Sequence, residues 1–215
     1  IANVTARAFH IAESGIQGPV VIAIPTDVLE SKIESEDVKR IKINPPLAFP
    51  EKVKEVSNLL SNAKKPVLVV GGQVQISTRS RKLVEKVAKA HNLPVLCTYE
   101  HQDIISNDDL HYAGELGLRP PEPIRNNALE ADLVLVVGHR FNGVPNMAYK
   151  FPSSKQMFIH VIPDPNTIGK IFRTDMGIVA DSENFLEQLS NFVNNSTNNE
   201  RNEWVKLCHY RYCLL

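Results

Sequence analysis

Short runs of consecutive apolar residues constrain the fold of this chain more than any other feature. Residues 67–70 and 133–137 each form such a run, and residues 158–162 form one interrupted only by His160; each is followed by Gly or Pro. A strand without hydrophobic alternation is typical of a parallel sheet covered on both faces. Amphipathic helical patterns at 53–63 and 83–88 alternate with these runs. We therefore predict an α/β fold, a doubly wound parallel sheet of about six strands. The remaining strands are predicted at 95–97, 111–113 and 177–180.

The charge balance excludes several classes of partner. The 215 residues include 24 Lys and Arg against 24 Asp and Glu, so the net charge is zero. Proteins that bind nucleic acid or anionic membranes usually carry a basic excess, and we expect neither partner here. No apolar stretch approaches the roughly 20 residues that span a bilayer. The sequence also begins without a signal-peptide pattern, so we expect a cytoplasmic protein.

Changes in composition predict the domain organisation. Residues 1–30 contain a helical pattern followed by the apolar run 20–24, and residues 31–49 are charged and proline-rich, which is typical of a linker. The main domain is predicted at 50–193. Residues 194–215 begin with an Asn-rich segment and are interpreted as a second linker, with a helix starting near Trp204. The chain does not begin with Met, which suggests a fragment or a processed chain.

The residues that follow the predicted strands are the candidates for a binding site. In open parallel sheets, ligands bind outside the carboxyl ends of the strands. Arg140 could neutralise a phosphate there, and Asp164 or Asp181 could accept a hydrogen bond from a ribose or an amide. Glycines at strand ends are equally typical of ordinary turns. Residue types alone leave both interpretations open, and they predict no catalytic residue and no metal site.

Four stretches of the chain carry short motifs. Residues 8–28 contain Gly-Pro-Val, an apolar run and Pro-x-Asp-Val, and residues 63–72 lead from Ala-Lys-Lys-Pro-Val to Gly-Gly. Residues 137–142 read Val-Gly-His-Arg-Phe-Asn, and residues 159–181 run from Ile-His through Ile-Gly-Lys to Ala-Asp. Together these stretches resemble thiamine-diphosphate-dependent enzymes of the acetolactate synthase type. The first resembles the end of their pyrimidine-binding domain, the second the opening of their middle domain, the third their Val-Gly-x-Arg-Phe-Asp motif and the fourth the pattern that follows it.

The resemblance implies a six-stranded middle domain that binds FAD in acetolactate synthases, and ADP or no nucleotide in relatives. Three departures favour a structural role. Ile162 replaces a family Asp, the loop 117–120 reads Gly-Leu-Arg-Pro in place of Gly-Met-His-Gly and so brings in Arg119, and Asn142 replaces another Asp. By position, the implied flavin-contacting set is Gly71, Gly72, Thr98, Tyr99, Gly138, Arg140, Asn142, Asp164 and Asp181.

The resemblance further implies a lyase or transferase that needs thiamine diphosphate and Mg²⁺ and decarboxylates or ligates 2-oxo acids. Intact family members assemble as homodimers or homotetramers. The family's activating Glu and its Gly-Asp-Gly…Asn-Asn segment have no counterpart among these 215 residues. We therefore expect a chain that is inert alone and works with the remaining domains of a parent enzyme. The alternative is a stand-alone nucleotide-binding or interaction module of the same fold.

Overall fold

The computed structural model describes residues 1–34, 38–74, 77–192 and 199–215. The chain divides into two compact units, Ile1–Pro45 and Pro46–Leu215. The division falls inside the segment predicted as the first linker. The middle of that segment, residues 35–37, and the start of the second predicted linker, residues 194–198, lie outside the described residues.

The described residues of the first unit form the helices α1 (Ala2–Glu13) and α2 (Thr26–Glu30). The helical pattern at the start of the chain is thus confirmed, but the strand predicted at residues 20–24 is wrong. Those residues are irregular, and Val21 is 91 % exposed. A strand is stable only when its backbone pairs with a neighbour. The described residues of this unit form no other strand with which the run could pair.

The second unit is built on a six-stranded parallel sheet, which confirms the predicted fold class. Its order is β3-β2-β1-β4-β5-β6, the order of a doubly wound nucleotide-binding fold. Every residue of β1 and β4 is buried, as their unbroken apolar runs predict. The strands are β1 (Pro66–Val70), β2 (Val95–Thr98), β3 (Tyr112–Leu116), β4 (Leu133–Val137), β5 (Met157–Ile162) and β6 (Met176–Val179).

Helices cover both faces of this sheet. Alternate residues of β1 explain why: Leu68 and Val70 belong to one hydrophobic cluster, and Val67 and Val69 belong to the other. The first cluster lies under α3 (Pro50–Asn62), α4 (Thr78–His91) and α6 (Ser182–Ser190), and the second under α5 (Glu122–Leu129) and α7 (Asn199–Cys213). One turn of 3-10 helix, Pro165–Thr167, follows β5.

The helix α7 is where the structure differs from the predicted second linker. Residues 199–213 form one helix that packs on β3 and α5. Trp204 is 3 % exposed, and its Nε1 donates to the carbonyl of Pro66 at 3.0 Å. A side chain that is buried and hydrogen-bonded in this way belongs to the domain core. The described part of the second predicted linker is therefore a structural element of the main unit.

None of the helices in the described ranges is both long enough and apolar enough to cross a bilayer.

Candidate functional site

The order of the strands reverses between β1 and β4, because the chain first builds the sheet outward to β3 and then returns to add β4 on the other side of β1. A doubly wound fold places its ligand crevice at this point. In this chain, backbone hydrogen bonds continue past the ends of both strands. The Gly71 N–H donates to the Val137 carbonyl at 3.2 Å, and the Gln73 N–H donates to the Gly138 carbonyl at 3.1 Å. The two loops are thus joined where a crevice would begin.

The space beside the two glycines after β1 is taken by histidine side chains. A Cβ atom at Gly71 would lie 2.4 Å from Cβ of His139, and one at Gly72 would lie 2.7 Å from Nε2 of His101. Such distances are shorter than any real contact of a Cβ atom. Gly71 lies against the Cβ atom and ring of His139, and Gly72 lies against the far end of the His101 ring, so both rings occupy the space beside the backbone after β1.

A third glycine, Gly138, has the same kind of role after β4. Its φ of +73° lies in the left-handed region that favours glycine. A Cβ atom here would lie 2.8 Å from Oγ of Ser182 and 2.9 Å from Cγ2 of Val74. Gly138 therefore allows the loops after β1 and β4 to meet the start of α6.

His139 is held as a neutral imidazole at the centre of this arrangement. Its Nδ1 accepts a hydrogen bond from the Phe141 N–H at 2.8 Å, and its backbone carbonyl accepts one from Nε2 of His160 at 2.8 Å. Burial lowers the pKa of His139 to about 4, and the neighbouring His101, His160 and Arg140 act in the same direction. A neutral ring that accepts a backbone hydrogen bond positions the loop and does not bind an anion.

Three buried polar atoms near this edge have no hydrogen-bond partner within the described ranges. They are Oγ1 of Thr98, Nδ1 of His101 and Oγ of Ser182. Buried polar atoms are nearly always paired with protein or with ordered water. Each of these atoms is almost fully inaccessible, so none of them faces an open crevice. Tyr99, the residue after Thr98, is 39 % exposed.

The two candidate aspartates are already used as helix caps. Asp164 accepts the Thr167 hydroxyl at 2.8 Å and the Asn166 N–H at 3.0 Å, and these hydrogen bonds lower the pKa of its carboxyl. Asp181 accepts the Asn184 N–H at 3.0 Å at the start of α6. Both carboxylates thus stabilise local turns.

Arg140 and Asn142 lie on the surface of the loop after β4. Phe141 lies between them and is 1 % exposed, with its ring 5.7 Å from that of Phe158. Within the described part of the chain, Arg140 forms no ion pair. The buried aromatic residue orients its two polar neighbours outward, towards solvent.

The predicted site is thus only partly assembled. The structure brings Gly71, Gly72 and Gly138 together around His101 and His139, whereas Asp164 and Asp181 cap separate helices. Ile162 is fully buried, and Arg119 lies on the surface of its loop. Sequence reasoning missed the packing role of the two histidines. A glycine pair directly after a buried strand is a signal of close approach, but it does not show what approaches.

These residues do not fit a dinucleotide such as FAD, or ADP, in the arrangement described. The glycine positions are filled by imidazole rings, the loops are joined by backbone hydrogen bonds, and each carboxylate already accepts a backbone N–H that caps a local turn. Among the residues that the structure describes, no group of three or more His, Cys, Asp or Glu side chains is arranged to hold a metal ion.

The fold and the strand-end motifs together define a doubly wound α/β domain of the nucleotide-binding type. Residues 53–189 match the family model of the thiamine pyrophosphate enzyme central domain. This match covers more than half of the chain, and the chain therefore belongs to that family.

Curated relatives come from the same group of enzymes. The chain is 29 % identical over 213 residues to the probable acetolactate synthase large subunit of Methanococcus aeolicus, covering 94 % of this chain and 35 % of the relative. It is 29 % identical to the glyoxylate carboligase of Escherichia coli O157:H7, covering 98 % and 37 %. It is 32 % identical to the acetolactate synthase isozyme 1 large subunit of Escherichia coli K12, covering 96 % and 36 %. The chain thus spans little more than a third of these relatives.

Two solved structures share the fold. Benzoylformate decarboxylase from Polynucleobacter necessarius superposes with a TM-score of 0.70 at 23 % identity, over 92 % of this chain and 37 % of that one. A putative thiamin diphosphate-dependent enzyme from Mycobacterium smegmatis gives 0.71 at 19 % identity, over 91 % and 38 %. At these identities the likeness establishes the fold alone.

Proposed function

We propose that this chain is the central domain of a thiamine-diphosphate- and Mg²⁺-dependent enzyme that decarboxylates or ligates 2-oxo acids, as an acetolactate synthase or glyoxylate carboligase does. The observation that carries the proposal is the match of residues 53–189 to the central-domain family. The names of the curated relatives support the substrate class. In such an enzyme the cofactor supplies the carbanion chemistry, and the protein positions it.

In this proposal the 215-residue chain has no catalytic activity of its own. Its candidate residues cap helices, pack loops or face solvent. The partners are the remaining domains of the parent enzyme, which assembles in the cytoplasm as a homodimer or homotetramer. The names of the relatives as large subunits support assembly.

The carboxyl edge of the sheet serves as a packed scaffold in this proposal and holds neither FAD nor ADP. The imidazole rings against Gly71 and Gly72 support this reading. So do the hydrogen bonds that join the loops after β1 and β4. The domain then contributes by holding its neighbours in place.

A turnover assay tests the proposed division of labour. The purified chain is incubated with thiamine diphosphate, Mg²⁺ and either pyruvate or glyoxylate, with the glyoxylate carboligase of Escherichia coli O157:H7 as the positive control. We expect no consumption of either substrate above a protein-free blank. Steady turnover by the purified chain would contradict the proposal.

A further inference from the structure

A cavity of about 450 Å³ lies at the amino ends of β5 and β6, between the two segments that lead into these strands. Residues 152–158 line one side, and residues 171–173 with Asp175 line the other. The volume falls within the range of small-molecule sites, roughly 300–1,000 Å³. The glycines and histidines described above follow the carboxyl ends of the strands, so this cavity lies at the opposite edge of the sheet. Its function does not depend on the scaffold role proposed above.

Hydrogen bonds hold both sides of the cavity in place. Oδ2 of Asp175 accepts the Phe158 N–H at 2.9 Å, and the Asp175 N–H donates to the Phe158 carbonyl at 2.9 Å, so the two segments are joined. Oε1 of Gln156 accepts the Ser153 N–H at 2.8 Å, and its Nε2 donates to two backbone carbonyls near the end of α5, both at 2.8 Å. Walls that are fixed before binding reduce the entropy that a ligand must overcome.

Positive charge predominates around the cavity. Among the described residues that line it, Lys155 and Arg173 are cationic and Asp175 is anionic. Within the described ranges Lys155 forms no ion pair. Nη2 of Arg173 lies 3.6 Å from Oδ1 of Asp175, which is too long for a hydrogen bond, and the Arg173 side chain is 92 % exposed. Both cations are therefore available to an anion that enters the cavity.

Hydroxyl groups and an apolar wall complete the lining. The hydroxyls of Ser153 and Ser154 have no hydrogen-bond partner among the described residues. The ring of Phe172 lies edge to face with that of the buried Phe158, with centroids 6.2 Å apart, and Ile171 beside it is 40 % exposed. Donors next to aromatic and aliphatic side chains favour an anion that is joined to an apolar group.

We propose that this cavity binds a small organic phosphomonoester, in which the phosphate is carried by an apolar alcohol. The phosphate would accept hydrogen bonds from Lys155, from the planar guanidinium of Arg173 and from the serine hydroxyls. A phosphomonoester brings a charge of about −1.5 to −2 and three acceptor oxygens, which matches two cations and two hydroxyls. A carboxylate has a single charge and two oxygens, so it leaves part of this set unpaired. The apolar group would lie against Phe172 and Ile171.

Phenyl phosphate and three comparison compounds test the ligand class. Isothermal titration calorimetry of the 215-residue chain compares phenyl phosphate with inorganic phosphate, which lacks the apolar group, with phenol, which lacks the charge, and with benzoate, which has a carboxylate in place of the phosphate. We expect saturable binding of phenyl phosphate and at least about tenfold weaker binding of each comparison compound. Equal or tighter binding of a comparison compound, or no saturable binding of phenyl phosphate at millimolar concentration, overturns the proposal.

Substitution of the two cations tests the site itself. Lys155→Gln and Arg173→Gln should each weaken the binding of phenyl phosphate about tenfold, because each removes a charged donor to the phosphate. Lys150→Gln is the matched control, since Lys150 is exposed nearby in the sequence, does not line the cavity, and loses the same charge. Unchanged binding in both cavity variants, or an equal loss in Lys150→Gln, would show that the phosphate is bound somewhere else.

Chemical shift mapping of the wild-type chain makes the test independent of how the variants fold. In ¹⁵N spectra, phenyl phosphate should shift the amides of Ser154, Lys155, Ile171 and Phe172, which line the cavity from both sides. Shifts confined to the loop around Arg140, where another exposed cation lies, would place the anion at the carboxyl edge of the sheet and overturn the proposal.

Discussion

At the residue scale, three glycines and two histidines explain why the space at the carboxyl ends of the strands is filled by the protein itself. Gly71 and Gly72 allow the rings of His139 and His101 to approach the backbone, and Gly138 allows α6 to approach. In a nucleotide-binding fold, glycines at these positions usually allow a ligand to approach. The same residue type therefore appears here for a different reason, which is packing within the protein.

Substitution of Gly138 by Ala should destabilise the domain more than substitution of Gly143. Both glycines have positive φ values, +73° and +62°, but a Cβ atom at Gly143 meets no atom within 4 Å. We expect a loss of about 3 kcal/mol for Gly138→Ala and about 1 kcal/mol for Gly143→Ala, since only the first adds overpacking to backbone strain. Urea denaturation measures both, and equal losses would show that the contacts with Ser182 and Val74 are unimportant.

His139 predicts a pH dependence of stability. Its pKa is lowered from 6.5 to about 4 by burial, so the unfolded chain binds a proton first as the pH falls. The free energy of unfolding should therefore decrease between pH 6.5 and about 4 and level off below, by at most about 3 kcal/mol from this group. The proton would also occupy Nδ1, which accepts the Phe141 N–H.

The variant His139→Asn retains a hydrogen-bond acceptor but does not titrate. Its stability should decrease less than that of the wild type between pH 7 and pH 4.5, as measured by urea denaturation. His10→Asn, in the first unit, is the control and should follow the wild type. Parallel curves for the wild type and His139→Asn would show that His139 is protonated equally in both states.

At the element scale, the strands of the sheet and a helix near Trp204 could be predicted from the sequence, but the packing of α7 into the domain could not. Buried parallel strands are nearly uniformly apolar, so β1 and β4 are visible as runs. The helix α7 is attached through a charged residue, Arg201, which is 2 % exposed. Hydrophobic periodicity assigns charged residues to the surface, so it cannot predict that Arg201 is buried. The run at 20–24 failed for the opposite reason, because apolar sequence does not supply a partner strand.

Arg201 should contribute more to stability than any exposed residue of α7. Its guanidinium donates to the carbonyls of Leu60 and Ala63 at the end of α3, and to that of His91 at the end of α4 at 3.1 Å. Arg201→Met leaves these buried carbonyls without their donor, and we expect a loss of about 3–5 kcal/mol. Thermal and urea denaturation provide the measurement.

Lys206→Met on the same helix is the matched control for Arg201→Met. The Lys206 side chain is 60 % exposed and pairs with Glu203 near the surface, so its loss should change stability by less than about 0.5 kcal/mol. If the two variants were equally stable, α7 would not be held to the domain through the guanidinium of Arg201.

At the scale of the whole molecule, the domain combines a familiar fold with a filled crevice. Family membership could be predicted from short motifs at the strand ends, and residues 53–189 match the family model. Whether the crevice is open or filled could not be predicted from the sequence, because that depends on which side chains from different loops meet in space. His101 follows β2 and His139 follows β4, and only the folded sheet brings both to Gly71 and Gly72.

Titration of the purified chain with FAD and with ADP tests the central claim, that the carboxyl edge of the sheet is filled by the protein itself. Flavin fluorescence and calorimetry give the two affinities, with Arg140→Gln as a probe of the exposed cation after β4. The account predicts no saturable binding tighter than about 1 mM, equivalent to about 4 kcal/mol, for either nucleotide. One-to-one binding of FAD at micromolar concentration that is lost in Arg140→Gln would contradict it.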